Sequence, residues 1–296
     1  MKTSESLKEK VNEILVSNGL DFNITKVPLV ALLADKTIKT DYFGLLNEKN
    51  GKIIHTVKDG YTVSQNKEIV EMILMGMENF GELSVYNAGA INDGRKIFIQ
   101  LAIEGYSKVG NDLIKKYITV IDSNDGSTGL SVGIGNLTMS CQNQFWKFYK
   151  SGQMKAKHTA TIQEKIKTLP ILIKSALSEN FKMIEIFNKF QSTPVTKKLA
   201  NDMVKTLIGF DRIMIESKEK EVSTRSKNIM NSLYKAIDIE MSSKGENLWG
   251  LFSGVTRWTS HDNSVPKREN GRIESGMLGN NYRFNQKALE FAIELV

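Results

Sequence analysis

The spacing of apolar residues changes about half-way along the chain. Leu7, Val11, Ile14 and Leu15 recur at helical intervals over residues 4–18, and Ile69, Val70, Ile73, Leu74 and Met77 do so again ahead of Gly81. Around these two helices the apolar runs are short and bounded by turn residues. Val27–Ala34, Tyr42–Leu46, Lys52–Val57, Leu83–Ala90, Lys96–Ile103 and Leu113–Ser123 read as strands. Asp59-Gly60 predicts a hairpin joining Lys52–Val57 to Tyr61–Val63, and Asn92-Asp93-Gly94 predicts a tight reversal. After Gln142 the texture becomes helical. Ile162, Ile166, Leu169, Ile173 and Leu177 begin a run to Phe190 that Pro170 bends or interrupts, and further helices fit 196–208, 223–241, 246–260 and 284–294. Ser264–Gly279, with three glycines, reads as a surface crossing.

This pattern predicts an α+β protein: a mixed β-sheet body in the N-terminal half and a predominantly helical C-terminal half. The expected division is a β-rich domain over 1–140 and a basic helical domain or subdomain over 141–296 packed on it. A chain of 296 residues buries enough surface to fold without covalent staples. Its single cysteine, Cys141, excludes an intrachain disulfide, and no signal peptide or membrane-spanning apolar run is evident. A soluble cytoplasmic protein is expected, with no membrane partner.

Charge sharpens the division. The net charge is +7, yet residues 1–150 hold 17 basic and 17 acidic side chains, so the whole excess lies beyond them. No acidic residue occurs between Gly126 and His158, which leaves Lys147, Lys150, Lys155 and Lys157 unanswered locally. Such a field attracts polyanions, whereas the plainer reading is a solubilising surface. Phe145, Trp146, Phe148 and Tyr149 interleave with Lys147 and Lys150, a mixture suited to stacking on bases and meeting phosphates. If that segment is a helix, its aromatics instead share a core-facing side. Arg257 and His261, four apart, would face a polyanion together.

Asp122 and Asp125, with Asn124, Ser127 and Thr128, collect hard oxygen donors at a strand end, the kind that Mg2+ or Mn2+ prefers. The spacing matches neither an EF-hand nor a two-metal nuclease, and a capped Asp-Gly turn accounts for it more simply. His55, His158 and His261 are too scattered to define a zinc site. Gly129, Gly133 and Gly135 lack the dinucleotide fingerprint and no Walker lysine is present, so the glycines read as a closely packed strand and an ATP-driven motor is not expected. Asn66 is placed as a helix N-cap.

Several motifs in order resemble one family: Gly60-Tyr61-Thr62-Val63-Ser64-Gln65-Asn66 before a helix, Ala88-Gly89 and Gly94-Arg95 around a hairpin, and Asn124-Asp125-Gly126-Ser127. Cys141-Gln142-Asn143, the lysine-rich approach to His158-Thr159, Leu248-Trp249-Gly250-Leu251-Phe252, Val255-Thr256 and His261 continue the series. The succession, over roughly residues 25–295, resembles the phage- and plasmid-encoded domain-of-unknown-function 932 family. Met139-Ser140 stands where that family often has an arginine-valine pair. The resemblance implies a mobile-element setting inside a bacterial cell and no particular activity.

The functional expectation is non-enzymatic binding of nucleic acid, single-stranded DNA foremost, during phage recombination or replication. The footprint would be Lys147, Lys150, Lys155, Lys157, Trp146, Arg257 and His261, with no cofactor required. Two alternatives stay open. One is a nuclease or other phosphoester hydrolase using Mg2+ or Mn2+ at Asp122 and Asp125 with a histidine supplied by the fold. The other is a phage structural or host-interaction protein. DNA is not separated from RNA, and a homo-oligomer stays open.

Overall fold

The computed structural model describes residues 5–78, 80, 83–148, 155–209, 223–265 and 267–296. Helix α1 (Glu5–Ser17) buries Leu7, Val11 and Leu15 at intervals of four and packs on α2 (Asn66–Glu78). Strands β1 (Ile24–Leu32), β2 (Thr37–Asn47) and β3 (Lys52–Lys58) form a three-stranded antiparallel sheet in that order. Two register shifts, at Pro28/Val30 and Leu45/Leu46, bend it.

The second sheet has the order β4-β5-β6-β7-β8: Leu83–Ile91, Lys96–Val109, Asp112–Ser123, Leu130–Thr138 and Gln144–Phe148. The two-residue β9 (Lys155–Ala156) pairs antiparallel with β7. Every residue of β7 is buried, as is almost all of β6, so both faces of these strands are covered. The expected reversal joins β4 to β5: Asn92, Asp93 and Gly94 all take positive φ, of 53°, 58° and 90°. At Gly94 a Cβ would lie 2.7 Å from the Phe22 ring, so this position needs glycine for space as well as for conformation.

Helices follow: α3 (Ile162–Ile166), α4 (Leu169–Ser192), α5 (Lys197–Ile208), α6 (Thr224–Lys244), α7 (Leu248–Arg257), a π-helical turn (Trp258–Asp262), α8 (Gly271–Met277) and α9 (Asn280–Ile293). Pro170 interrupts the run rather than bending a helix: α3 ends at Ile166, and Pro170 stands in the first turn of α4, where its missing N–H costs no helical bond. The sheet-rich N-terminal half and helical C-terminal half are therefore as expected.

Three local expectations change. Tyr61–Val63 is no strand, because the backbone of Thr62 is claimed by the His158 carbonyl (3.2 Å) instead of a hairpin partner. Residues 144–148 are a strand, not a helix. Ser264–Gly279 contains α8, built on the buried Gly271, Ser275, Gly276 and Met277.

The chain forms two compact units whose segments alternate along the sequence. The first comprises 1–104, 117–134 and 148–178; the second comprises 105–116, 135–147 and 179–296. The boundary expected at 140 falls within one of the second unit's segments. Among the described residues no helix is long and apolar enough to cross a membrane.

Candidate functional site

In the first unit, β6 runs through the apolar pair Val120 and Ile121 and then delivers a carboxylate, Asp122, to a site where its side chain is 2% exposed. Isolated, this charge would be very costly. Two side chains far away in sequence answer it. Ser64, just before α2, donates its hydroxyl to Oδ2 (2.5 Å), and His158, just after β9, brings Nε2 to 2.7 Å from Oδ1. The other imidazole nitrogen, Nδ1, lies 3.3 Å from the Thr62 carbonyl and 3.5 Å from Ser64 Oγ.

Both ring nitrogens thus face acceptors, the arrangement an imidazolium satisfies by donating twice. Burial by itself disfavours that charge. The hydrogen bond and charge of Asp122, with the Thr62 carbonyl, outweigh burial and hold the His158 pKa above its ordinary value. Tyr61 stacks on the imidazole, ring centroids 5.0 Å apart and planes within 3°. Its phenol is pushed far upward, first by burial and then by Asp122 and Asp125.

The residue types are those of a hydrolytic triad, but the connectivity is not. Asp122 sits between serine and histidine, the Ser64 hydroxyl is spent on the carboxylate, and Ser64 is 1% exposed. This is a latch that ties the segment before α2 to β6 and to the chain leaving β9, not an activated nucleophile.

Asp125 lies in the turn after β6, with Lys96 Nζ 3.0 Å from Oδ2 and the Ser127 amide donating to Oδ1 at 3.0 Å. Burial raises its pKa, and Ser127 and Lys96 more than reverse that, leaving it lowered. The oxygens of Asp122 thus serve Ser64 and His158, and Asp125 serves a lysine and a turn. No group of three or more His, Cys, Asp or Glu side chains among the described residues converges to hold an ion.

Above the latch lies a pocket of about 290 Å³ lined by His55, Val57, Lys58, Gly60, Tyr61, Gly126 and His158. Gly126 lines it from a left-handed turn position (φ 69°).

The remaining expected site residues are dispersed. Trp146, in β8 of the second unit, is 6% exposed; its ring packs so tightly that a Cβ on Gly276 would lie 2.5 Å from it. Its face is closed to a base, because β8 turns Phe145 and Trp146 into core. Lys147 is partly exposed on the same strand. Lys150 and the Lys155 side chain lie outside the described residues. Lys157 is exposed in the first unit. Arg257 is held by the buried Glu240 (3.3 Å) and lies 3.9 Å from Asp262, and His261 Nε2 meets the Cys141 carbonyl at 3.0 Å. These two are engaged inside the second unit. Asn66 does not cap α2: its amide donates to the carbonyls of Leu20 (2.9 Å) and Phe22 (3.3 Å), while Glu68 accepts from the Gln65 amide.

The sequence singles out Asp122 and His158 separately; it gives no sign of their pairing or of Ser64 as a third member. The available signal was Asp122 itself, a charge directly after two apolar residues of a strand buried on both faces, which demanded a buried partner.

A two-sheet α+β chain with its buried Ser-Asp-His latch in the sheet-rich unit and a helical C-terminal half is the class these features define. The chain belongs to the family described as Domain of unknown function (DUF932), whose profile matches residues 53–283. That span includes Ser64, Asp122 and His158. No curated protein and no solved structure shows significant similarity.

Proposed function

We propose that the protein binds single-stranded nucleic acid, without turnover, through the basic segment that follows the latch. One observation carries this reading. Between Asp125 and Glu179 the only acidic residue is Glu164, against seven lysines. Four of these, Lys157, Lys165, Lys167 and Lys174, belong to the first unit, are exposed, and pair with no carboxylate among the described residues. Unpaired ammonium groups concentrated on one stretch of chain suit a phosphate backbone and contribute affinity by releasing its counterions. The phage and plasmid setting of the family supports a role in recombination or replication inside a bacterial host. Binding by charge needs no cofactor.

The test is the quadruple variant Lys157→Gln, Lys165→Gln, Lys167→Gln, Lys174→Gln against labelled single-stranded DNA, RNA and duplex across salt. The variant should keep its fold and bind more weakly. Its logarithmic salt slope should flatten by roughly 0.7 for each phosphate deprived of its ammonium partner. A parent protein that binds none of these, or a folded variant with unchanged affinity and slope, overturns the proposal. Product formation that appears with Mg2+ or Mn2+ and vanishes with chelator would replace it with the hydrolase.

A further inference from the structure

The pocket over the latch has a charge balance that the lysine segment does not explain. Each carboxylate beside it already has a cation: Asp122 has His158 at 2.7 Å, Asp125 has Lys96 at 3.0 Å, and Asp59 has Lys26 at 3.0 Å. Lys58, which lines the pocket and is exposed, pairs with none among the described residues, and His55 stands on the same strand three residues before it. The remaining wall includes the buried Val57 and Tyr61, which stacks on the His158 imidazole; that ring also lines the pocket and is held at both nitrogens. A preformed recess with an unmatched cation at its rim and an aromatic side in its wall selects an anion attached to a flat or apolar group.

We infer that this pocket is a mononucleotide subsite. Lys58 and His55 take the phosphate, and the side chains of Tyr61 and Val57 take the nucleoside. A volume of about 290 Å³ suits one nucleotide and not a length of strand. The choice of a nucleotide over other aromatic phosphates rests on the nucleic-acid reading. Lys157 is covalently next to His158, so the subsite adjoins the proposed basic segment and would hold one residue of a bound strand.

The experiment titrates the full chain by calorimetry with thymidine 5′-monophosphate, thymidine and inorganic phosphate, each on the parent, on Lys58→Gln, on His55→Gln and on the quadruple lysine variant. The monophosphate should bind the parent more tightly than thymidine or phosphate does. It should bind the quadruple variant as it binds the parent, and Lys58→Gln should weaken it roughly tenfold or more, the effect of losing one charged hydrogen bond. His55→Gln should also weaken it, which guards against a fold defect particular to one variant. Absence of monophosphate binding, or equal binding by parent and both folded pocket variants, overturns the inference. Phosphate binding as tightly as the monophosphate overturns the nucleotide assignment. Oligonucleotide binding without monophosphate binding refutes the subsite and leaves the proposed function standing; the reverse pattern refutes the proposed function and leaves the subsite.

Discussion

Replacing Asp122 with alanine should be among the most damaging single changes in the first unit. The substitution strands the His158 side chain, 3% exposed, without its carboxylate and leaves the Ser64 hydroxyl without its acceptor. Breaking one side of a buried ion pair costs about 3–5 kcal/mol. At roughly 2–4 °C per kcal/mol for a body of this size, the melting temperature should fall by roughly 10 °C. His158→Gln should also destabilise, and the double variant should lose less than the sum of the singles, by about 1–3 kcal/mol, because it removes the stranded charge together with its partner.

The pH dependence adds a second signature. The folded-state pKa of His158 is raised above the ordinary histidine value of 6.5, so the stabilisation is fully present below about 6.5 and is lost as pH rises through the folded value. Over that window the unfolding free energy should decline with a slope of at most about 1.4 kcal/mol per pH unit from this one group. The slope should disappear in His158→Gln. Urea unfolding of the parent, both singles and the double at several pH values from about 5 to 9 measures all of this. An Asp122→Ala variant within about 1 kcal/mol of the parent, or additive singles, or an unchanged slope in His158→Gln, would refute the latch.

Gly129→Ala should shift β9 away from β7, since the new Cβ would lie 1.9 Å from the Ala156 carbonyl oxygen; a loss of about 1–3 kcal/mol by denaturant unfolding is expected, and an unaltered stability would contradict the close approach. Trp146→Ala should cost about 3–5 kcal/mol as a core truncation, and in a folded Trp249→Phe, Trp258→Phe variant, where Trp146 is the remaining tryptophan, oligonucleotide should not quench its emission; strong quenching would show an exposed ring.

Local chemistry made the elements legible in advance. Leu7, Val11, Ile14 and Leu15 fall on one side of a helix, whereas a strand would turn Ile14 away from the other three; Asn92-Asp93-Gly94 supplies three positive φ values in succession, and short apolar runs bounded by turn residues suit strands. The family was legible for the same reason, since its motifs follow one another along the chain. What the sequence left undecided were matters of through-space partnership. Nothing within a few residues of Asp122 says that Ser64, 58 positions earlier, and His158, 36 positions later, will take its two oxygens. The aromatic and lysine alternation at 145–150 fits a stacking groove as well as it fits a core strand. Only the packing of Trp146 against Gly276 in a distant helix decides the matter. Arg257 and His261 likewise have the spacing of a common face, yet Glu240 and the Cys141 carbonyl claim them individually. Spacing along a chain sets which way a side chain points from its own element; the low dielectric of the interior, where each buried charge must find a partner, sets what it meets there.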